Sequence, residues 1–226
     1  MDAPILQGKR FLITAGPTRA PLDAVRYITN KGTGRLGSLI AEEALARGAA
    51  ITYVHGRPSL SPTVRGGGRD HLSMIAIDTV QDLIRVFRAE LPRGYDVVIH
   101  TMSVLDFQPA EVRTGKTESD EPEWAVRLVP TPKAIRLVKD LAPRAILVGF
   151  KLEAGGRRED LLAEAVELLR AARADLVVAN DLREIEAGRH TGYIVDGSGE
   201  VVAKAEGKEA IARTLIRLIE ERLPVN

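Results

Sequence analysis

The sequence predicts one α/β domain: a Rossmann-like, doubly wound and mostly parallel sheet in three layers, with an antiparallel hairpin near the C-terminus. Three observations predict this fold. Short apolar runs, typical of buried strands, alternate along the chain with amphipathic stretches of helical spacing. The 226 residues, 45% of them hydrophobic and 28% charged, suit one domain with a substantial core. Turn signals and polar residues follow directly after the apolar runs, where the ligands of such sheets bind.

The individual elements follow from these runs and from the residues that end them. The first run, R-F-L-I-T-A, stops at a G-P-T turn and is predicted as a buried strand. The D-G-S-G sequence between two later runs is typical of a hairpin. The predicted strands are 10–15, 50–55, 73–77, 96–100, 145–150 and 175–179, with an edge strand at 124–128 and the hairpin strands at 193–195 and 201–203. The predicted helices span 36 to near 48, 80–91, 132–141, 159–173 and 209–222.

One segment breaks this alternation without dividing the chain. Residues 106–123 are polar and charged and show no periodicity, so we expect a flexible loop there, in the position of a lid. No linker or internal repeat separates two domains. We therefore treat residues 1–226 as a single domain.

Composition excludes several classes of function. The net charge is +1, and aromatic residues make up only 4% of the chain, which argues against a nucleic-acid partner. The absence of cysteine excludes disulfides, cysteine–zinc sites and a thiol nucleophile. The four histidines are scattered, so they indicate no metal cluster or catalytic triad. The chain has no uninterrupted apolar run long enough to span a membrane, and we expect a cytoplasmic protein.

The glycines of G-T-G-R-L-G (Gly32, Gly34 and Gly37) match the dinucleotide-binding pattern G-x-G-x-x-G. That pattern requires the first glycine at the turn directly after a strand, yet these glycines lie far beyond the strand that ends at Ala15. Three interpretations stay open. Arg57 could accept a 2′-phosphate, which would favour NADP. The glycines could merely let a loop enter a helix, or they could form an anion-binding loop for another ligand.

The long first crossover contains the groups that an anion site needs. Backbone amides at Gly16, Gly32 and Gly34 can point at an anion, and Asn30 can both donate and accept hydrogen bonds. The crossover also carries four cations, which are Arg19, Arg26, Lys31 and Arg35. The segment therefore predicts a site for a phosphate with a polar group beside it.

A series of motifs then follows in a fixed order along the chain. They are G-P-T at 16–18 with P-L-D-A-V-R at 21–26 and T-N-K-G-T-G at 29–34, I-H-T-M-S-V-L-D-F at 99–107, T-P-K-A-I at 131–135, V-G-F-K-L at 148–152 and A-D-L-V-V-A-N-D at 174–181. In this order they resemble the phosphopantothenoylcysteine synthetase family, the second half of the bacterial bifunctional coenzyme A enzyme. The resemblance runs from about residue 9 to 223. Since 226 residues leave no room for a flavin-dependent decarboxylase, the chain resembles the standalone form.

The resemblance implies a ligase that joins 4′-phosphopantothenate to L-cysteine in coenzyme A biosynthesis. A nucleoside triphosphate, CTP more readily than ATP, activates the carboxylate as an acyl-nucleotide (acyl-cytidylate) and releases pyrophosphate. The amine of cysteine then displaces the nucleoside monophosphate. The resemblance also implies Mg²⁺ and a homodimer.

The resemblance assigns roles residue by residue. Asn30 and Lys116 are implied as catalytic residues, and Asp106 as the ligand of Mg²⁺. Asn30 would hold the carboxylate or acyl-nucleotide, Lys116 would reach the phosphates, and Phe150 would pack on the base or ribose. The other implied substrate-binding residues are Arg26, Gly32 and Gly34. The implied nucleotide-binding residues are Gly16, His100, Thr101, Met102, Asp106, Lys116, Pro132, Lys133, Ala134, Ile135 and Phe150.

The chain departs from the family pattern at two places, and both concern the contacts expected with the ligands. The family usually has serine at the position of Gly32, and it places two lysines on the helix before the A-N-D strand. This chain has Glu167, Ala171 and Ala172 there, with Arg170 and Arg173 adjacent. Either an arginine replaces a lysine or the phosphate contacts differ, and Lys151 could supply the missing charge. The alternative functions are an NADP-dependent Rossmann oxidoreductase and a non-catalytic nucleotide-binding protein.

Overall fold

The chain forms one central sheet with helices on both faces, as a computed structural model describes for residues 6–64, 70–118 and 123–224. The strands in these ranges are β1 (Arg10–Ala15), β2 (Arg19–Pro21), β3 (Tyr27–Thr29), β4 (Ala50–Gly56), β5 (Leu72–Ile77), β6 (Val97–His100), β7 (Phe107–Pro109), β8 (Leu128–Pro130), β9 (Ile146–Glu153), β10 (Leu176–Asp181), β11 (Thr191–Asp196) and β12 (Val201–Glu206). The α-helices are α1 (Arg35–Ala46), α2 (Val80–Glu90), α3 (Arg136–Leu141), α4 (Arg158–Ala172), α5 (Leu182–Glu186) and α6 (Lys208–Glu220).

The order of the strands locates the natural ligand crevice. The eight-stranded sheet runs β12-β11-β10-β9-β6-β1-β4-β5. The six strands from β10 to β5 are parallel, whereas β11 and β12 are antiparallel. The winding reverses between β1 and β6, and ligands of doubly wound sheets bind at the carboxyl ends of the strands at this switch point. The predicted fold class, including the C-terminal hairpin, is confirmed.

Alternate residues of β1 enter two separate cores, which explains why this strand reads as a continuous apolar run. Ile13 packs in a cluster with Ile40 of α1 and Leu215 of α6. Leu12 packs on the opposite face, in a cluster with Leu83 of α2 and other residues of α3 and α4. The faces of the sheet are therefore covered, and the carboxyl ends of the strands remain available to a ligand. No helix within the described ranges is long and apolar enough to cross a membrane.

Two short hairpins lie outside the main sheet and were not predicted. Strands β2 and β3 pair within the crossover from β1 to α1, and β7 pairs with β8. The predicted loop at 106–123 therefore begins with a strand, and residues 119–122 lie outside the described residues. The predicted edge strand at 124–128 was wrong, because the strand starts only at Leu128. Trp124 instead stacks with the guanidinium groups of Arg26 and Arg113.

Helix α3 starts later than predicted, and the residue just before its predicted start is bonded to the loop after β6. The main-chain N–H of Thr131 donates to the carbonyl of Asp106 at 2.9 Å, and the Thr131 hydroxyl donates to the carbonyl of Leu105 at 2.5 Å. These bonds join Thr131 to the loop after β6, and the helix begins only at Arg136. Strands β9 and β10 each extend beyond their predicted ends, toward the same edge of the sheet.

Candidate active site

The candidate site lies where the chain leaves β1 and β6, at the switch point of the sheet. The two loops are bonded to each other beyond the strand ends. The N–H of Ser103 donates to the carbonyl of Gly16 at 2.9 Å, and the N–H of Thr18 donates to the carbonyl of Ser103 at 3.2 Å. A parallel bridge between Pro17 and Ser103 continues the ladder. The first crossover and the loop after β6 therefore form one continuous wall of the crevice.

Three glycines, Gly16, Gly32 and Gly34, form what we call the glycine cradle. Gly16 and Gly34 both have φ near +75°, the left-handed region that favours glycine. A Cβ at Gly34 would lie 2.1 Å from Ser59 Oγ and 3.2 Å from the amide nitrogen of Gly16. Gly34 is also the N-cap of α1 and provides no side-chain cap. The N–H of Arg35 donates to Thr33 Oγ1 at 3.4 Å, and the next amides of this helix have no side-chain cap and can bind an anion.

Gly37 has a different role, in packing. A Cβ at Gly37 would lie 2.6 Å from both Ala15 Cβ and Thr101 Oγ1, so glycine alone permits the close approach of α1 to β1. The second and third glycines of the dinucleotide-like motif thus start a helix and pack it on a strand, as in the dinucleotide-binding fold. The hairpin at residues 19–29, however, separates them from β1.

The side chain of Asn30 is fixed by main-chain groups of the loop after β6. Its Nδ2 donates to the carbonyls of Ser103 at 3.2 Å and Val104 at 3.3 Å. These contacts occupy both amide hydrogens. The Oδ1 atom is left as the hydrogen-bond acceptor that Asn30 can offer to a ligand.

Asp106 lies on the exposed surface opposite Lys133, with 2.5 Å between Oδ1 and Nζ. Asp106 follows β6 and Lys133 precedes α3, so the pair spans the two loops that Thr131 joins. The described residues contain no group of three or more histidines, aspartates or glutamates able to hold a metal. A single carboxylate nevertheless fits Mg²⁺, which is usually bound by one or two carboxylates, substrate phosphates and water.

Asp23 links the first crossover to the segment that carries Lys116. Its Oδ2 accepts from the N–H of Thr117 at 3.1 Å and from Arg26 Nη1 at 2.6 Å. Burial by itself would raise the pKa of Asp23. Hydrogen bonds from the amides of Val25, Thr117 and Arg26 outweigh that effect and hold the pKa of Asp23 well below its usual range. Lys116 itself is exposed, between residues that are anchored on both sides.

Arg26 contributes to the same link, whereas the sequence predicted that it binds substrate. Besides Asp23, its Nη1 donates to the carbonyl of Thr117 at 3.2 Å, and its guanidinium stacks on Trp124. In this structure Arg26 therefore positions the segment around Lys116. Its predicted contact with substrate stays a prediction.

The last residue of β6 and the two residues after it have side chains that are buried or bonded within the protein. His100 is buried, with its Nδ1 2.8 Å from Thr14 Oγ1 and its ring edge-on to Phe87. Burial lowers the pKa of His100 to about 4, so the ring is neutral near pH 7. Thr101 Oγ1 donates to the carbonyl of Thr14, and Met102 is buried. Any contact between these residues and a nucleotide would have to use their main chain.

Phe150 and the segment 132–135 point to opposite faces of the sheet. Phe150 packs beside the core under α1 and α6, whereas Ala134 and Ile135 pack in the core under α2, α3 and α4. Between them, a Cβ at Gly149 would lie 3.3 Å from Ile135 Cδ1. A single base therefore cannot be sandwiched between Phe150 and Ile135. Pro132 and Lys133 are both exposed beside the crevice.

Comparison with known proteins assigns the chain to a family. Residues 6–223 match the family described as the DNA/pantothenate metabolism flavoprotein C-terminal domain. The chain belongs to this family. The membership confirms the resemblance that the motifs indicated.

Individual members of the DNA/pantothenate metabolism flavoprotein C-terminal family are similar across most of the chain. The coenzyme A biosynthesis bifunctional protein CoaBC of Thermococcus kodakarensis is 40% identical over 179 residues, which are 79% of this chain and 42% of that protein. The crystal structure of the DNA/pantothenate metabolism flavoprotein from Streptococcus pneumoniae has a TM-score of 0.85 at 29% identity, covering 96% of this chain and 100% of that one. The C-terminal domain of CoaBC has a TM-score of 0.76 at 29% identity, covering 97% of each chain. The chain spans about two fifths of the length of the curated relatives that it matches.

The positively charged residues expected to replace the family's helix lysines do not lie at the site. Helix α4 starts at the carboxyl edge of the sheet, and Arg170 and Arg173 lie at its opposite end. Arg173 is paired there with Asp140 at the end of α3. The proposed substitution by an arginine was therefore wrong. Lys151 is closer to the carboxyl edge but forms ion pairs with Glu153 at 2.8 Å and Glu164 at 2.9 Å.

Sequence reasoning missed three residues that the family fold brings to the site. Ser59 and Ser103 place their hydroxyls against the glycine cradle, and Asp23 anchors the segment of Lys116. Ser59 and Ser103 both follow the carboxyl ends of parallel strands, β4 and β6. The rule that ligands bind beyond these ends could have identified them. The role of Asp23 depends on a long-range contact that no local pattern indicates.

Proposed function

We propose that this chain is a phosphopantothenate–cysteine ligase, which joins 4′-phosphopantothenate to L-cysteine through an acyl-nucleotide and uses CTP in preference to ATP. The supporting observation is the glycine cradle at the switch point. Its crossover also carries Asn30 and anchors the segment of Lys116, and Asp106 lies in the adjoining loop after β6. Membership of the family of CoaBC C-terminal domains supports the same reaction.

In the first step, a carboxylate oxygen of phosphopantothenate attacks the α-phosphorus of the nucleotide. The bond from this phosphorus to pyrophosphate breaks, and its electron pair leaves with pyrophosphate. The reaction brings two anions together, so it needs fixed positive groups. We expect Lys116, Lys133 and the amides of α1 that have no side-chain cap to provide them. Asp106 would hold Mg²⁺, which when bound screens the charge of the phosphates.

In the second step, the amine of cysteine attacks the acyl carbon, and the nucleoside monophosphate leaves with the electron pair of the mixed anhydride. The amine loses a proton to solvent as the amide forms. The Oδ1 atom of Asn30 is fixed and free to accept from the attacking N–H group, since its Nδ2 is held by two carbonyls. We therefore assign Asn30 to the alignment of cysteine with the acyl group.

A homodimer is the second part of this proposal. Strand β2 packs against β7, and the two short hairpins carry large apolar side chains at the surface. Val25 is 60% exposed and Phe107 is 53% exposed, with Tyr27 and Leu128 also exposed. Exposed apolar patches of this kind favour association.

Leu128→Glu should shift the mass in light scattering from dimer to monomer, whereas Val202→Glu, on the remote strand β12, should not. A monomeric wild-type protein would refute the dimer.

The alternative functions make different predictions in the same experiments. An NADP-dependent oxidoreductase would bind nicotinamide, which changes the absorbance or fluorescence of the protein. The hairpin between β1 and the glycines disfavours it, because dinucleotide binding keeps these elements contiguous. A non-catalytic nucleotide-binding protein would bind CTP and release no pyrophosphate.

The decisive test is pyrophosphate release with Mg²⁺ and 4′-phosphopantothenate, with and without cysteine, comparing CTP with ATP. Release that requires both the nucleotide and phosphopantothenate is the expected result. Asn30→Ala should still release pyrophosphate in a first turnover, yet form little amide product. Lys116→Ala should slow the first step itself, and Lys204→Ala on β12 serves as the matched lysine control. Folded wild-type protein that releases no pyrophosphate with either nucleotide would refute the ligase.

A further inference from the structure

Ser103 lies in the loop after β6, next to Gly32 of the glycine cradle, and its main chain is fully used there. Its N–H donates to the carbonyl of Gly16, and its carbonyl accepts from Thr18 and from Asn30. The residue is half-buried. Its hydroxyl, in contrast, has no hydrogen-bond partner among the described residues. The main chain therefore fixes the position of a polar group that is left available to a ligand.

The unpaired hydroxyl points at Gly32. A Cβ at Gly32 would lie 2.3 Å from Ser103 Oγ and 3.0 Å from Ser103 Cβ, so the Ser103 side chain would have to shift. The hydroxyl of Ser103 thus occupies the space that a side chain at position 32 would need. Because Gly32 has no side chain, its main chain and this hydroxyl face the same part of the crevice.

We propose that Ser103 Oγ donates a hydrogen bond to an anionic oxygen of the ligand in the glycine cradle, and that Gly32 and Ser103 work as a matched pair. A side chain at position 32 would displace the Ser103 hydroxyl from its present position. The inference rests on the proposed function, which brings two anions to the cradle: a phosphate of the nucleotide and the carboxylate of phosphopantothenate. A hydroxyl suits either oxygen, because hydrogen bonds to charged acceptors are short and strong.

The pair can be tested by exchange of the side chains. Four proteins are compared: wild type, Ser103→Ala, Gly32→Ser, and the double variant with both changes. Calorimetry gives the Kd of CTP and the Kd of 4′-phosphopantothenate separately, and thermal unfolding gives the Tm. Ser103→Ala should weaken one of the two ligands roughly 10- to 100-fold, the loss expected for one hydrogen bond to a charged group. The ligand that is weakened identifies the oxygen that Ser103 binds.

Gly32→Ser should weaken binding further and lower the Tm, because its side chain collides with Ser103. The double variant removes the collision and supplies a hydroxyl from position 32, so its Kd and Tm should both return toward the wild-type values. Recovery of the Tm without recovery of the Kd would show that the pair only packs, and would overturn the proposal. Unchanged Kd values for both ligands in Ser103→Ala would also overturn it. Ser73→Ala, an exposed serine on β5, is the matched control.

Failure of the ligase reaction has a different signature. Wild-type protein that binds the ligands but forms no product would refute the proposed function, while a weaker Kd in Ser103→Ala would still support the hydroxyl contact. Wild-type protein that binds neither CTP nor 4′-phosphopantothenate would refute both proposals. Normal product formation with unchanged binding in Ser103→Ala would refute the matched pair alone.

Discussion

The buried ring of His100 should make the stability of the protein depend on pH in a defined window. The ring is 8% exposed, and burial lowers its pKa from 6.5 to about 4. Between these values the unfolded chain binds a proton that the native ring does not, so stability falls as pH falls. Within this window the free energy of unfolding falls by about 1.4 kcal/mol for each pH unit. It should therefore be about 2 kcal/mol lower at about pH 5 than at neutral pH.

The assay is urea unfolding of wild type and His100→Asn at about pH 7.5 and about pH 5. Asparagine retains an atom able to bond the Thr14 hydroxyl and cannot titrate in this range. The variant should be less stable at neutral pH because it leaves a cavity, and the advantage of the wild type should shrink by about 2 kcal/mol at the lower pH. An equal difference in free energy at the two pH values would refute the reasoning. It would mean that the native ring takes up its proton as readily as an unfolded one.

Three further changes test the surroundings of the site. Gly37→Ala should lower the free energy of unfolding by about 1–2 kcal/mol and the Tm by several degrees, since overpacking outweighs the gain in helix propensity. Gly197→Ala, whose new methyl group would lie in open space, should change the free energy of unfolding by less than about 0.5 kcal/mol. A Gly37→Ala variant more stable than the wild type would contradict the close packing of α1 on β1. Asp23→Asn should lower kcat/KM because Asp23 anchors the segment of Lys116, and the same change should have a much smaller effect on kcat/KM when Lys116 is already alanine. Equal losses of kcat/KM in the two backgrounds of this double-mutant cycle would show that Asp23 does not act through Lys116. Lys151→Ala leaves two carboxylates without their cation and should raise the KM for nucleotide sharply, whereas an unchanged KM would exclude a role in nucleotide binding.

The sequence predicted the fold where the chain repeats a pattern many times. The run R-F-L-I-T-A at 10–15 and the helical spacing of Val80, Leu83 and Phe87 reflect burial against a sheet, so their elements matched to within a residue or two. The hairpins β2–β3 and β7–β8 were not found, because strands of three residues are too short to show a period.

The site was predictable in position but not in its contacts. The switch point and the glycines follow from strand ends and turn chemistry, which are local. The sequence predicted a contact between Arg26 and substrate. It did not predict the bonds of Arg26 to Asp23 and Thr117, the second of which joins segments far apart in the chain. The same holds for Ser103, whose importance comes from its distance to Gly32. Local pattern carries no information about such pairs, because tertiary folding creates them.

The contacts of Asp23 are part of a set of bonds that joins two segments of the site. They join residues 22–26 to residues 113–117, and further main-chain bonds run from Ala24 to Gly115 and from Arg113 to Leu22. Two segments joined in this way should unfold locally as one cooperative unit rather than separately. In native-state hydrogen exchange, their amides should share one opening free energy and gain protection together when either substrate binds. Flexibility at this site is therefore a property of the pair of segments, and a ligand that orders one of them orders the other.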